Sequence, residues 1–174
     1  MPEQKSQTSL VGASGEHFVL YRLLRMGYLA ALAPQGAPNA DIICTDVAGE
    51  KTAVIQVKTR RDIGADKGWH MKSKHELLKS KKMFYCFVDY QKDEMLPPTV
   101  FIVPSNVVAD ALKEMHEAWF RAPGKNGKEH KATEMRRLLP NYSRTLNISG
   151  DLLKRYGIDW MEKYRENWNL LGIN

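Results

Sequence analysis

Apolar and polar positions alternate along the chain in a way that changes period several times. Residues 15–26 place Phe18, Val19, Tyr21, Leu23, Leu24 and Met26 at helical spacing, with Ser14 as an N-cap and Gly27 as a stop. Residues 1–11 are polar and read as a loose tail. A short strand is expected at 28–33, then a loop through Pro-Gln-Gly-Ala-Pro-Asn. Two period-two runs follow, 41–47 and 52–59, joined by a turn in which Gly49 permits a positive φ. Residues 69–72 form a further short strand, and 73–82 are read as a basic helix. Strands are expected at 84–90 and 99–103, and a helix over 105–120 capped by Ser105. Residues 121–131 make an exposed basic loop. The tail from Ser149 reads as one or two helices, with Trp160, Tyr164 and Trp168 on one face.

This order predicts a mixed α/β domain with one central sheet and helices packed on it. The chain has 174 residues, 43% of them hydrophobic and 26% charged, so a sizeable core needs no disulfide or metal scaffold. No apolar run is long enough for a membrane helix, and the polar N-terminus lacks a signal-peptide core. Cys44 and Cys86 sit in apolar runs without a CxxC partner. They read as buried thiols of a cytoplasmic protein.

Charge is concentrated. The net charge is +6, yet residues 51–82 alone carry ten basic and three acidic groups. Such a surface attracts polyanions, although a solvated lysine-rich face has the same composition. Sequence motifs for ATP, dinucleotide or serine-hydrolase chemistry are absent.

The hairpin brings candidate chemistry together. In strand alternation Gln56 and Lys58 share a face. Pairing Val47 with Thr52 sets Asp41 opposite Lys58 and Ile43 opposite Gln56. Asp41, Gln56 and Lys58 then converge at one end, and Glu16 in the first turn of the opening helix adds a second carboxylate. Carboxylates with an ammonium suit metal-assisted phosphodiester hydrolysis. The same residues equally describe a strand-end ion pair that serves stability.

Gly15-Glu16 on a first helix, Asp41 opening a strand and Gln56-Val57-Lys58 on the return strand resemble the PD-(D/E)XK nuclease superfamily. The likeness is nearest to its Holliday-junction-resolvase-like and homing-endonuclease-like branches. It implies a restriction-endonuclease-like αβββαβ core with a mixed central sheet, here within residues 12–120, and a helical C-terminal extension over 132–174 packed on it. It implies a Mg²⁺-dependent endonuclease acting on DNA, with Mn²⁺ as a substitute cation. Glu16, Asp41 and Gln56 would be the metal ligands and Lys58 the fourth catalytic residue. Ala40 stands where many members have proline, and Gln56 replaces an acid, contributing a carbonyl but no charge. The alternative is a catalytically inactive relative that binds nucleic acid or a protein partner.

Arg60 and Arg61, with Lys72 and Lys74 further on, are the candidate phosphate contacts. DNA is the expected partner, with a homodimer left open. His75 is either a general base or a surface or satisfied residue. His116 and Trp119 read as packing residues. The aromatic trio of the tail either stacks bases or packs on the sheet.

Overall fold

The computed structural model describes residues 4–61, 68–124, 127–143, 148 and 150–173. Residues 1–3 of the expected tail, 62–67 after the hairpin, 125–126 of the later loop and Ser149 lie outside the described residues.

The opening helix α1 runs over Gln4–Arg25, so most of the expected tail is helical. No glycine or proline interrupts residues 4–11, and nothing there forces a break. Ser14 is consequently interior and not a cap: its hydroxyl donates to the Val11 carbonyl at 2.9 Å. The buried line of α1 is Gly15, Val19 and Leu23, four residues apart, while Tyr21 and Leu24 are exposed. Gly27 ends the helix at φ +86°, and the Tyr28 amide donates back to the Leu23 carbonyl.

Five strands form the central sheet: β1 (Leu29–Leu32), β2 (Ile42–Thr45), β3 (Thr52–Arg61), β5 (Met83–Tyr90) and β6 (Thr99–Pro104). Their order is β1-β2-β3-β5-β6, with only the β3–β5 pair parallel. Two layers of side chains follow from strand alternation. Val19 and Leu23 of α1 pack with Ile42, Ile55, Val57, Phe84 and Cys86 on one face. The helix α2 (Ser105–Arg121) supplies Val108, Leu112 and Met115 to the other face, against Tyr85, Phe87 and Val103.

The crossover between β3 and β5 corrects the expected basic helix over 73–82. It holds β4 (Trp69–Lys72), then a 3-10 turn over Ser73–Glu76, then irregular chain. Lys79, Ser80, Lys81 and Lys82 carry no apolar stripe to bury, and Leu77 is exposed. Ser105 holds this segment instead of capping α2. Its hydroxyl donates to the Ser80 carbonyl and accepts from the Ser80 amide, both at 2.9 Å.

β4 pairs antiparallel with β7 (Met135–Leu138), making a separate two-stranded ribbon that the periodicity did not predict. The expected helical extension therefore begins with a strand. It continues as α3 (Asp151–Tyr156) and 3-10 turns over Glu162–Tyr164 and Trp168–Leu171. Trp160 and Tyr164 pack on the α2 side, whereas Trp168 packs on the α1 side, so the trio does not share a face. The chain passes round the β6 edge between them, where the Glu166 amide donates to Val100 O and the Val100 amide to Glu166 Oε1. Among the described residues, no helix is long and apolar enough to cross a membrane.

Candidate active site

The hairpin register differs from expectation by two residues. Thr45 pairs with Thr52, which places Asp41 opposite Gln56 rather than opposite Lys58. Asp46 explains the wider turn: its amide donates to the Lys51 carbonyl at 3.1 Å and its Oδ1 accepts from the Lys51 amide at 2.9 Å. A slip of two keeps every side chain on its own face. Asp41, Gln56 and Lys58 therefore still converge, with Lys58 one diagonal step from Asp41.

Asp41 is held firmly. Its amide donates to Ile55 O at 2.9 Å. Its Oδ2 accepts from the Val57 amide at 2.6 Å and from Gln56 Nε2. The Gln56 side chain is buried, and with its amide hydrogen committed to Asp41, its carbonyl oxygen remains as a ligand atom.

Glu16 arrives from the other layer. Gly15 makes this approach feasible, because a Cβ there would lie 1.9 Å from Thr59 Oγ1. The first-helix carboxylate thus settles at the end of β3. Its pKa is raised, first by burial and then by the negative charge of Asp41, with Lys58 pulling the other way. Lys58 is lowered, foremost by burial; Asp41 and Glu16 hold it up while Lys74 and Lys72 push it down. The four predicted catalytic residues and two of the predicted phosphate contacts thus share one electrostatic neighbourhood.

Gln56, Lys58, Lys72, Lys74 and His75 line a cleft of about 510 Å³, with Glu134 at its rim. Lys74 Nζ donates to Asn39 Oδ1 at 3.0 Å, tying the far wall to the loop that precedes Asp41. His75 is buried in this wall and shares a 2.8 Å hydrogen bond with the Tyr85 hydroxyl. Burial, then the nearby charges of Lys58, Lys74 and Lys72, push its pKa down to about 4. At neutral pH it is an uncharged, hydrogen-bonded wall residue.

Arg60 is engaged elsewhere. Its guanidinium binds Asp89 through two hydrogen bonds, 2.8 and 2.6 Å, and lies 4.1 Å from the Trp69 ring centre. It braces β3, β5 and β4 and is not presented to a ligand. Arg61 is exposed, but alternation turns it to the face opposite Lys58. Asn39 and the ribbon residues of β7 escaped sequence reasoning. Asn39 had one sequence signal, its place in a Pro/Gly-rich loop, and in the structure it adopts a left-handed φ of 61°, which asparagine tolerates.

Two carboxylates and an amide oxygen beside a lysine fit a hard divalent cation better than a soft one. Burial raises Glu16 most and the Asp41 charge adds to it; a bound cation would offset both. Among the described residues, no group of three or more His, Cys, Asp and Glu side chains gathers at metal-binding distance, so any such site here depends on Gln56.

No protein-family profile matches the chain, and no curated protein sequence is similar to it. Two solved structures align with the chain. The bacterial homing endonuclease I-Ssp6803I aligns over 99% of this chain and 94% of its own, at 17% identity and a TM-score of 0.49. The Holliday junction resolvase Hjc of Archaeoglobus fulgidus aligns over 73% of this chain and 82% of its own, at 12% identity and a TM-score of 0.41.

Proposed function

We propose that this protein is a divalent-cation-dependent nuclease that hydrolyses phosphodiester bonds in DNA. The observation that carries the reading is the gathering of Glu16 and Asp41 beside Gln56 and Lys58, which line a cleft whose other wall carries Lys72 and Lys74. Glu16, Asp41 and the Gln56 carbonyl hold the cation, Mg²⁺ or Mn²⁺. Such a cation would polarise a phosphoryl oxygen and acidify a coordinated water. Lys58 donates hydrogen bonds to the attacking water and to the phosphoryl oxygens as charge builds on them. Lys72 and Lys74 hold the neighbouring phosphates. The free, buried Cys44 and Cys86 suit a reducing, cytoplasmic setting.

A second reading has its own observation. Gln56 Nε2 donates to Asp41, so the carboxylate already has a hydrogen-bond partner within the protein. In that case the chain binds DNA without cutting it.

Calorimetry with Mg²⁺ and Mn²⁺, paired with a plasmid-nicking assay, separates the two. Asp41→Ala should abolish both cation binding and nicking. Lys58→Ala should spare cation binding and lower turnover by about 10²-fold or more. Gln56→Glu should tighten the cation if the neutral ligand limits affinity. Nicking by wild-type protein that Asp41→Ala leaves unchanged would overturn the nuclease reading. Cation binding absent from both wild type and Gln56→Glu favours the silent one.

A further inference from the structure

The β4–β7 ribbon has two unlike faces. Trp69 and Leu138 are buried on the inner face, with Met71 beside them and Arg136 engaged by Glu76. Trp69 Nε1 donates to Val88 O at 3.1 Å, and the Tyr142 hydroxyl donates to Arg137 O at 2.8 Å. Gly68 lets the strands close up, since a Cβ there would lie 2.8 Å from Leu138 O and 2.9 Å from Arg137 Cγ. The ribbon is thereby tied to β5 through Trp69, to the 3-10 turn through Glu76 and to the later chain through Tyr142. Its outer face is exposed and consists of two cross-strand pairs, His70 with Arg137 and Lys72 with Met135.

This outer face adjoins the candidate catalytic cleft. His70, Lys72 and Met135 line the cleft together with Lys58. Lys72 is near enough for its charge to depress Lys58. Arg137 pairs with His70, two ladder positions along from the Lys72–Met135 pair, and does not itself line the cleft. The four-pair ribbon is about 13 Å long and its strands about 4.8 Å apart. The major groove of B-DNA, about 12 Å wide, admits a two-stranded ribbon of this kind.

We infer that the β4–β7 ribbon enters the major groove of duplex DNA beside the cut site, where Arg137 reads a guanine edge. The inference rests on the cleft being a DNA site. Lys72, adjoining Lys58, meets the backbone. Arg137, further along the rigid ribbon and outside the cleft lining, reaches the bases. Arginine matches the two acceptors of guanine, O6 and N7, in one fork. Met135 offers an apolar surface of the sort that meets a thymine methyl. The pinned inner face lets the outer side chains discriminate, because a ribbon that shifted would adapt to any sequence.

The test selects bound sequences from a random duplex library, using the full chain with Ca²⁺ in place of Mg²⁺ so that binding is read without turnover. Wild type should recover a motif with at least one required guanine. Replacing that base by 7-deazaguanine removes N7 and should weaken wild-type binding about ten-fold, while adding no loss to Arg137→Ala. Arg137→Lys keeps the charge but not the fork. It should retain affinity and salt dependence on random duplex and lose the guanine preference, with an unchanged melting temperature. A guanine motif lost with Arg137→Lys supports the inference whether or not the wild type nicks plasmid. Nicking without any motif, or a motif that both Arg137 variants leave unchanged, overturns it while the nuclease reading stands. Absence of duplex binding by the wild type overturns the inference, and the nuclease reading is then decided by the nicking assay on its own.

Discussion

Single residues set the geometry of the site, and two of them carry sharp predictions. Gly15 lets α1 touch β3, so Gly15→Ala must push Glu16 away from Asp41 or displace Thr59. The expected cost is about 1–3 kcal/mol of stability together with weakened cation binding. Thr59→Ala removes the hydroxyl that a new Cβ would strike, leaving its own Cβ 3.0 Å away, and should restore part of both. Denaturant melts and calorimetry on the single and double variants check this, and additive losses would refute it. His75 supplies a pH signature. Its pKa is about 4 in the folded chain against an ordinary 6.5, so between those values the unfolded chain holds the proton more readily. Stability from this group is complete above about pH 6.5 and is lost as pH falls toward 4. His75→Gln, which retains a partner for Tyr85, should flatten that part of a stability-versus-pH curve.

At the scale of elements, the site depends on segments that regular periodicity does not describe. The chain between β4 and β5 is held by the reciprocal Ser80–Ser105 hydrogen bonds. Ser105→Ala leaves the Ser80 amide and carbonyl without those partners, at a cost of about 1–3 kcal/mol. Hydrogen exchange should show the loss concentrated over residues 77–82. Equal acceleration across the whole chain would mean that the latch is not local. Hairpin β2–β3 makes a related point. Its face pattern was legible in the alternation of Ile42, Cys44, Ile55 and Val57, because only one parity buries the apolar set. Its register was not legible, because the wider turn is closed by an Asp46 side chain that alternation ignores.

Across the whole molecule, the basic excess of residues 51–82 is divided between two roles. Lys72 and Lys74 are exposed beside the cleft, whereas Arg60 is committed to Asp89 and Trp69. DNA binding should therefore weaken with salt, and Lys72→Ala or Lys74→Ala should each reduce the log–log slope by about one unit. Arg60→Ala should lower the melting temperature and leave the slope unchanged. Fluorescence anisotropy over a salt series distinguishes these, and a reduced slope with Arg60→Ala would return that residue to the DNA-binding surface.

The sequence by itself determined the mixed α/β class, all five sheet strands to within a residue or two at their ends, and the shared face of Asp41, Gln56 and Lys58. These follow from local rules: alternation assigns faces, and glycine and proline mark ends. Tertiary structure decided what depends on distant partners. Helix α1 continues to Gln4 because nothing local stops it. Residues 77–82 stay irregular because Ser105 binds Ser80 twenty-five positions away. Met135–Leu138 become a strand because β4 has outward pairing groups to fill. Trp168 leaves Trp160 and Tyr164 because the chain turns round the β6 edge at Glu166 and buries it on the opposite layer. Arg60 was legible as a charge; its pairing with Asp89 required the parallel register that sets those two residues side by side.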